Sequence, residues 1–242
     1  MPDDGMAGND YSTGGYHLAM CGRFSIRDPH THPISQWFGS ILSSIEQPAR
    51  FNVAPSNEIV IGLATYKPSE PIQLARPQAR FGFLPHWAKP DTKPQINARG
   101  ETVAEKPFFR DAFRHSRCLV PADGWYEWQG VAGKKVPYFI QRPDRLGFFF
   151  AGLYSRRALP DGVTQYTFCI VTSEASEDLK HLHDRMPVVV PEEHWRDWLL
   201  ADTKPELLHS ILKPAAPGTY VAQRVSTYVN RPADEGPGCV EL

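Results

Sequence analysis

Nine short stretches of β-forming composition, most of them bounded by proline or glycine, decide what this chain can build. Residues 58–64, 80–84, 118–120, 124–129, 136–141, 147–154, 165–172, 187–190 and 220–225 concentrate aliphatic and aromatic side chains. Between them fall many of the 23 prolines and 18 glycines, which interrupt a ladder because proline has no N–H and glycine favours turns. Helical spacing is sparser. Apolar residues recur at helical intervals over 34–45, a helix fits 101–113 despite Pro107, and 174–181 reads as a short polar helix. Pro191 followed by Glu192 and Glu193 starts a further helix that carries Trp195, Trp198 and Leu199 on one face. Helices scattered among many strands, without regular alternation, predict an α+β fold: a single compact domain with a mostly antiparallel, barrel-like β-sheet flanked by short helices.

Residues 1–19, rich in Gly, Asp, Ser and Thr, read as a disordered leader or a start assigned too far upstream, 20–229 as the domain, and the Pro- and Gly-rich 230–242 as a loose tail. A net charge of −1 excludes a uniformly basic nucleic-acid coat. Cys21, Cys118, Cys169 and Cys239 are too widely spaced for a zinc cluster or a disulfide framework, which suits a reducing cytoplasm. No apolar run approaches the roughly 18 residues of a membrane span.

Several segments could carry chemistry. From Arg76 to Cys118 there are nine Lys or Arg against four Asp or Glu, interleaved with Phe81, Phe83, Trp87, Phe108, Phe109 and Phe113. Cations for phosphates alternating with rings for bases are the ingredients of a single-strand surface; a solvated charged face over an aromatic core has the same composition. Within it, Asn97 and Arg99 share one face if the segment is extended, an amide to orient a substrate and a guanidinium to grip a phosphate. Glu127, flanked by Trp125, Tyr126 and Trp128, is a carboxylate in desolvating company, where its pKa rises toward neutrality; an edge Glu paired with an Arg is the alternative. Trp128 offers a ring for stacking. His183, beside Asp184 and Arg185, can shuttle protons near neutral pH, although a His at a helix end is often a cap. His181 and His183 lack an evident third metal ligand, so no metal is expected.

Cys21 follows Met20 directly. A chain starting at Met20 and trimmed of it would present an α-amine and a thiol on adjacent carbons, with ordinary pKa values of about 8 and 8.5. Such a pair closes a thiazolidine ring on an aldehyde, which neither serine nor lysine can do.

Met20-Cys21-Gly22-Arg23-Phe24, Phe51-Asn52-Val53-Ala54-Pro55, Phe81-Gly82-Phe83-Leu84-Pro85-His86-Trp87-Ala88, Ile96-Asn97-Ala98-Arg99, the run from Arg117 to Trp128 and His183-Asp184-Arg185-Met186-Pro187 together resemble the SOS response-associated peptidase family of abasic-site processing proteins. The resemblance implies covalent capture of abasic sites in single-stranded DNA, with weak lyase activity and removal of residues ahead of the cysteine. It matches Cys21 to the nucleophile, Asn97 to the residue that positions amine and sugar, Glu127 to the acid/base residue, and His183 to the one that assists ring opening and reversal. Arg23, Arg99, Trp128, Thr172 and Arg185 match its DNA contacts. It implies no cofactor, a monomer, and action on the nucleoid. Family members carry the cysteine at position two, whereas here Met1 to Ala19 precede Met20, so translation is expected to start at Met20 or the leader to be clipped. Two other readings are a thiol-dependent peptidase built on Cys21, His183 and Glu127 or Asn97, and a non-catalytic single-strand binding module.

Overall fold

The computed structural model describes residues 22–28, 48–65, 73–131 and 133–242. Cys21, the leader 1–19 and the helix expected over 34–45 lie outside them.

The strands fall into sheets. β1 (Phe24–Ile26), β2 (Arg50–Val53), β9 (Gly124–Val131), β10 (Lys134–Gln141) and β14 (Val221–Arg224) form an antiparallel sheet in the order β14-β10-β9-β1-β2. β3 (Glu58–Val60), β6 (Gln78–Phe81), β12 (Thr164–Glu174), β11 (Phe148–Ala158) and β8 (Arg117–Ala122) form the path of a second, to which β7 (Asn97–Arg99) and β13 (Arg185–Pro187) add along β12. β4 (Leu63–Thr65) and β5 (Gln73–Ala75) pair separately. The class is α+β as expected, and mostly antiparallel; β6 and β7 run parallel to β12.

β8 and β9 are one ribbon that changes sheet at Asp123. The Asp123 carboxylate accepts hydrogen bonds from Ser25 Oγ, the Arg27 N–H and Arg27 Nε, which ties β1 to that corner. Gly124 is obligatory there, because a Cβ would lie 2.1 Å from Phe139 Cζ. Between the sheets sits a core of Phe24, Phe81, Trp125, Phe150, Phe168 and Ile170. Along β11 the side chains split by the two-residue period: Phe148 and Phe150 enter that core, whereas Phe149, Ala151 and Leu153 enter a second one. The second core is closed by α1 (Arg110–His115), α2 (Trp195–Leu199) and α3 (Pro205–Ile211). Buried Arg117 fastens α1 to α2 by donating to the carbonyls of Phe113, Arg114, Trp198 and Leu200, and burial pulls its pKa down to about 10.

Some expectations need correction. The helix anticipated over 101–113 is a run of turns until Arg110, because Pro107 has no N–H to give. No helix forms over 174–181: β12 continues to Glu174, held by its pairing with Arg185, and a continuous run of turns follows over 177–182. α3 was not anticipated, although Pro205 and Glu206 make an ordinary helix start. Residues 230–242 are not loose. Cys239 is fully buried with Tyr126, Phe139, Val225 and Val229, and the Glu235 carboxylate accepts from the Phe51 N–H at 2.7 Å and Arg50 Nε at 2.8 Å.

Candidate functional site

β9 organises the site. Alternation along the strand puts Trp125, Glu127 and Gln129 on one face and Tyr126 and Trp128 on the other. Glu127 is 3% exposed, in keeping with the desolvation its aromatic neighbours suggested. On the same face, Gln129 Nε2 donates to the His181 carbonyl at 3.2 Å, which attaches the segment 181–185 to the side that carries Glu127. β1 approaches along the other edge: Phe24 lies opposite Trp125, and the Tyr126 N–H donates to the Arg23 carbonyl at 3.0 Å. Continuing that register sets Gly22, which is buried, across from Glu127. The residue that precedes it in sequence is Cys21.

A second cluster is built on β12. Asn97 pairs in parallel with Ile170, and Arg99 with Thr172. The segment is extended, so the amide and guanidinium share a face while Ala98 is buried beneath them. Asn97 Oδ1 is shielded from solvent and Arg99 is exposed. Thr172 is wholly buried, and Arg185 Nη2 donates to its carbonyl at 2.7 Å and to its Oγ1 at 3.3 Å. The Arg185 guanidinium is also forked by Glu101 at 2.7 and 2.8 Å. That bidentate bond holds the Glu101 carboxyl below its usual pKa, against the opposing pull of burial.

His183 joins this cluster to the first. Its Nδ1 accepts the Arg185 N–H at 3.0 Å. Asp184 Oδ1 lies 2.8 Å from the same Nδ1. The amide can bond only an unprotonated Nδ1 and the carboxylate only a protonated one, so the two partners compete for that atom.

Arg23 and Trp128 meet on the opposite face of β9. The Arg23 guanidinium lies 5.7 Å from the centroid of the Trp128 ring. Its Nε donates to Asn52 Oδ1 at 2.8 Å and one Nη to the Val229 carbonyl at 2.6 Å. Burial lowers its pKa from the usual guanidinium value, with Tyr126 the chief opposing influence. Trp128 Nε1 donates to Asn230 Oδ1 at 2.8 Å.

Of the cations between Arg76 and Cys118, Arg76 and Arg117 are internal and the other seven are exposed. The rings among them behave differently. Phe81, Phe83 and Phe113 are core residues, Phe108 and Phe109 are half-buried, and Trp87 is 51% exposed. The aromatic half of that pattern is therefore mostly packing, and Trp87 is its available ring. A cavity of about 500 Å³ lies elsewhere, walled by Arg142, Phe148, Val189, Trp195, Lys213 and Tyr220 among others, and includes none of the anticipated site residues. Among the described residues no helix is long and apolar enough to cross a membrane, and no cluster of three His, Cys, Asp or Glu could hold a metal.

Sequence reasoning passed over Glu101, Asn52, Gln129 and Asn230, which hold Arg185, Arg23, the 181–185 segment and Trp128 respectively. Glu101 had a visible signal, since a carboxylate two residues beyond Arg99 marks a site for a second cation. The others depend on contacts between distant parts of the chain.

Residues 20–232 match the family model described as SOS response associated peptidase (SRAP). The chain is 37% identical to abasic site processing protein YoqW of Bacillus subtilis over 228 residues, covering 92% of this chain and 99% of that protein. It is 33% identical to abasic site processing protein YedK of Escherichia coli, over 74% of this chain and 79% of the relative. In fold it is similar to a crystal structure of a protein from Bacteroides thetaiotaomicron, with a TM-score of 0.71 at 24% identity, covering 91% of this chain and 98% of that one.

Proposed function

The chain belongs to the SOS response associated peptidase (SRAP) family of abasic site processing proteins, and on that premise we propose that it captures abasic sites in single-stranded DNA through the aminothiol of a chain beginning at Cys21. The α-amine attacks the C1′ aldehyde of the ring-opened sugar, and water leaves to give an imine. The thiol then adds across the C=N bond, forming the C–S bond while its proton passes to nitrogen, and the thiazolidine closes without an oxidant or reductant. Glu127 gives and takes protons at the departing hydroxyl and the nitrogen. Asn97 orients the amine and sugar, and His183 assists ring opening. Arg99 and the exposed cations nearby grip phosphates, with Arg23, Trp128 and Arg185 lining the strand's path and Thr172, wholly buried, acting through the hydrogen bonds that hold Arg185. The closed ring hides an aldehyde that would otherwise undergo β-elimination, and an untrapped imine allows the same cleavage, which accounts for weak lyase activity. Any residues ahead of Cys21 must be absent or removed, since a peptide bond there abolishes the amine.

The observation that carries this reading is the register of β1 on β9, in which Phe24 lies opposite Trp125 and which, continued two residues back along the chain, sets Gly22 across from the buried Glu127. The test mixes protein beginning at Cys21 with an oligonucleotide bearing one abasic site and looks for an adduct stable in SDS. The expected results are an adduct for the trimmed chain, none for Cys21→Ser or for an N-terminally acetylated chain, and strong slowing for Asn97→Ala and Glu127→Ala. Acetylated protein that still forms the adduct refutes the thiazolidine.

A further inference from the structure

The segment 229–235 crosses the outer face of the five-stranded sheet where Arg23 and Trp128 lie, and it meets both through directed bonds. Asn230 Oδ1 receives the indole N–H of Trp128 at 2.8 Å. The Val229 carbonyl receives one Nη of Arg23 at 2.6 Å. Asn52, wholly buried, presents Oδ1 to Arg23 Nε and turns Nδ2 toward the carbonyls of Val229, Arg231 and Asp234 at 3.3, 3.0 and 2.8 Å. Its two ends cannot be exchanged, because the flipped amide would oppose donor to donor at Arg23 and acceptor to acceptor at the carbonyls. Glu235 secures the far end of the segment on β2.

These bonds address a specific freedom. The χ2 torsion of tryptophan is broad and roughly two-fold, so packing alone leaves an indole at a partly exposed site with two flips of similar energy. A hydrogen bond to Nε1 selects one of them. We propose that Asn230 is a positioning residue, which acts by fixing the Trp128 ring in the orientation that receives single-stranded DNA, with the Asn52-anchored segment as its support. The inference rests on the reading of Trp128 as a DNA contact and adds a determinant of its pose.

The test uses the full chain trimmed to Cys21, with Asn230→Leu and Asn230→Asp, the latter keeping an acceptor oxygen. The ¹H–¹⁵N signal of the Trp128 indole N–H, assigned by its loss in Trp128→Phe, reports the bond without DNA. Affinity for an undamaged single-stranded oligonucleotide reports the pose, and adduct formation at an abasic site reports the chemistry. Asn230→Leu should shift the indole signal and weaken affinity about threefold to fivefold, the equivalent of one partly exposed hydrogen bond. Asn230→Asp should restore the indole signal, its added charge acting separately on affinity for a polyanion, and in a Trp128→Phe background Asn230→Leu should add nothing. An unmoved indole signal in Asn230→Leu, an unrestored one in Asn230→Asp, or an equal loss of affinity in the Trp128→Phe background overturns the proposal. If the wild-type protein binds the strand with this Asn230 dependence yet forms no adduct, covalent capture falls and the positioning role stands.

Discussion

Replacing Asn52 by Asp is nearly isosteric, yet the geometry predicts a substantial loss. The change removes both Nδ2 hydrogens and points a second oxygen at the Val229, Arg231 and Asp234 carbonyls, 2.8–3.3 Å away. The two shorter bonds matter most, and a buried acceptor left without a donor costs about 1–3 kcal/mol. The gain is an ionised acceptor for Arg23 Nε, whose existing bond to the Asn52 amide is already assisted by the guanidinium charge. The balance is a destabilisation of about 2–4 kcal/mol at pH 7, which for a chain of this size lowers Tm by roughly 5–15 °C. Protonation of the introduced carboxylate recovers one donor, so the deficit should narrow as pH falls. Thermal and urea unfolding followed by circular dichroism at pH 7 and pH 5 measure both quantities. A variant within about 0.5 kcal/mol of wild type at pH 7 would refute the argument, since surface substitutions free of such features stay in that range.

Two further changes probe the cations. Glu101→Gln withdraws the charge that neutralises Arg185, and because the Glu101 side chain is 48% exposed the stability cost should stay below about 1 kcal/mol. Its folded pKa is depressed, so its contribution is complete above the ordinary carboxylate value of about 4.3 and fades as pH falls through the lower folded value; the Gln variant should lack that acid dependence. The cation so released should steepen the slope of log affinity for single-stranded DNA against log salt by about 0.7, and an unchanged slope excludes Arg185 as a phosphate partner. Arg117→Met strands four helix-end carbonyls and relieves the cost of a buried charge. It should destabilise by about 2–4 kcal/mol, measured by urea unfolding, without altering DNA affinity.

How much of this could be read in advance depended on the range of the interaction. Strands at β8 to β12 were recognisable because their apolar runs are buried on both faces, as Phe148–Leu153 divide between two cores, and because proline or glycine marks their ends. Asn97 and Arg99 declared a shared face through spacing alone, and Glu127 its burial through its neighbours. The failures share a cause. The end of β12 reads as a polar helix until its pairing with Arg185 is known, and the residues 230–242 read as loose because Asn52, Arg50 and Phe51, which hold them, stand far away in the chain. The cationic stretch announced its charge correctly, whereas the inward turn of Phe81, Phe83 and Phe113 follows from sheet register and helix packing, which composition does not encode.

The bond from Arg23 to Val229 joins residues 206 positions apart. The partners of Arg23 and Trp128 thus come from the far end of the described chain, the Val229 carbonyl and the Asn230 amide. A chain cut short of residue 229 loses both, so a truncation there should disturb the surroundings of Arg23 and Trp128 although neither residue is touched.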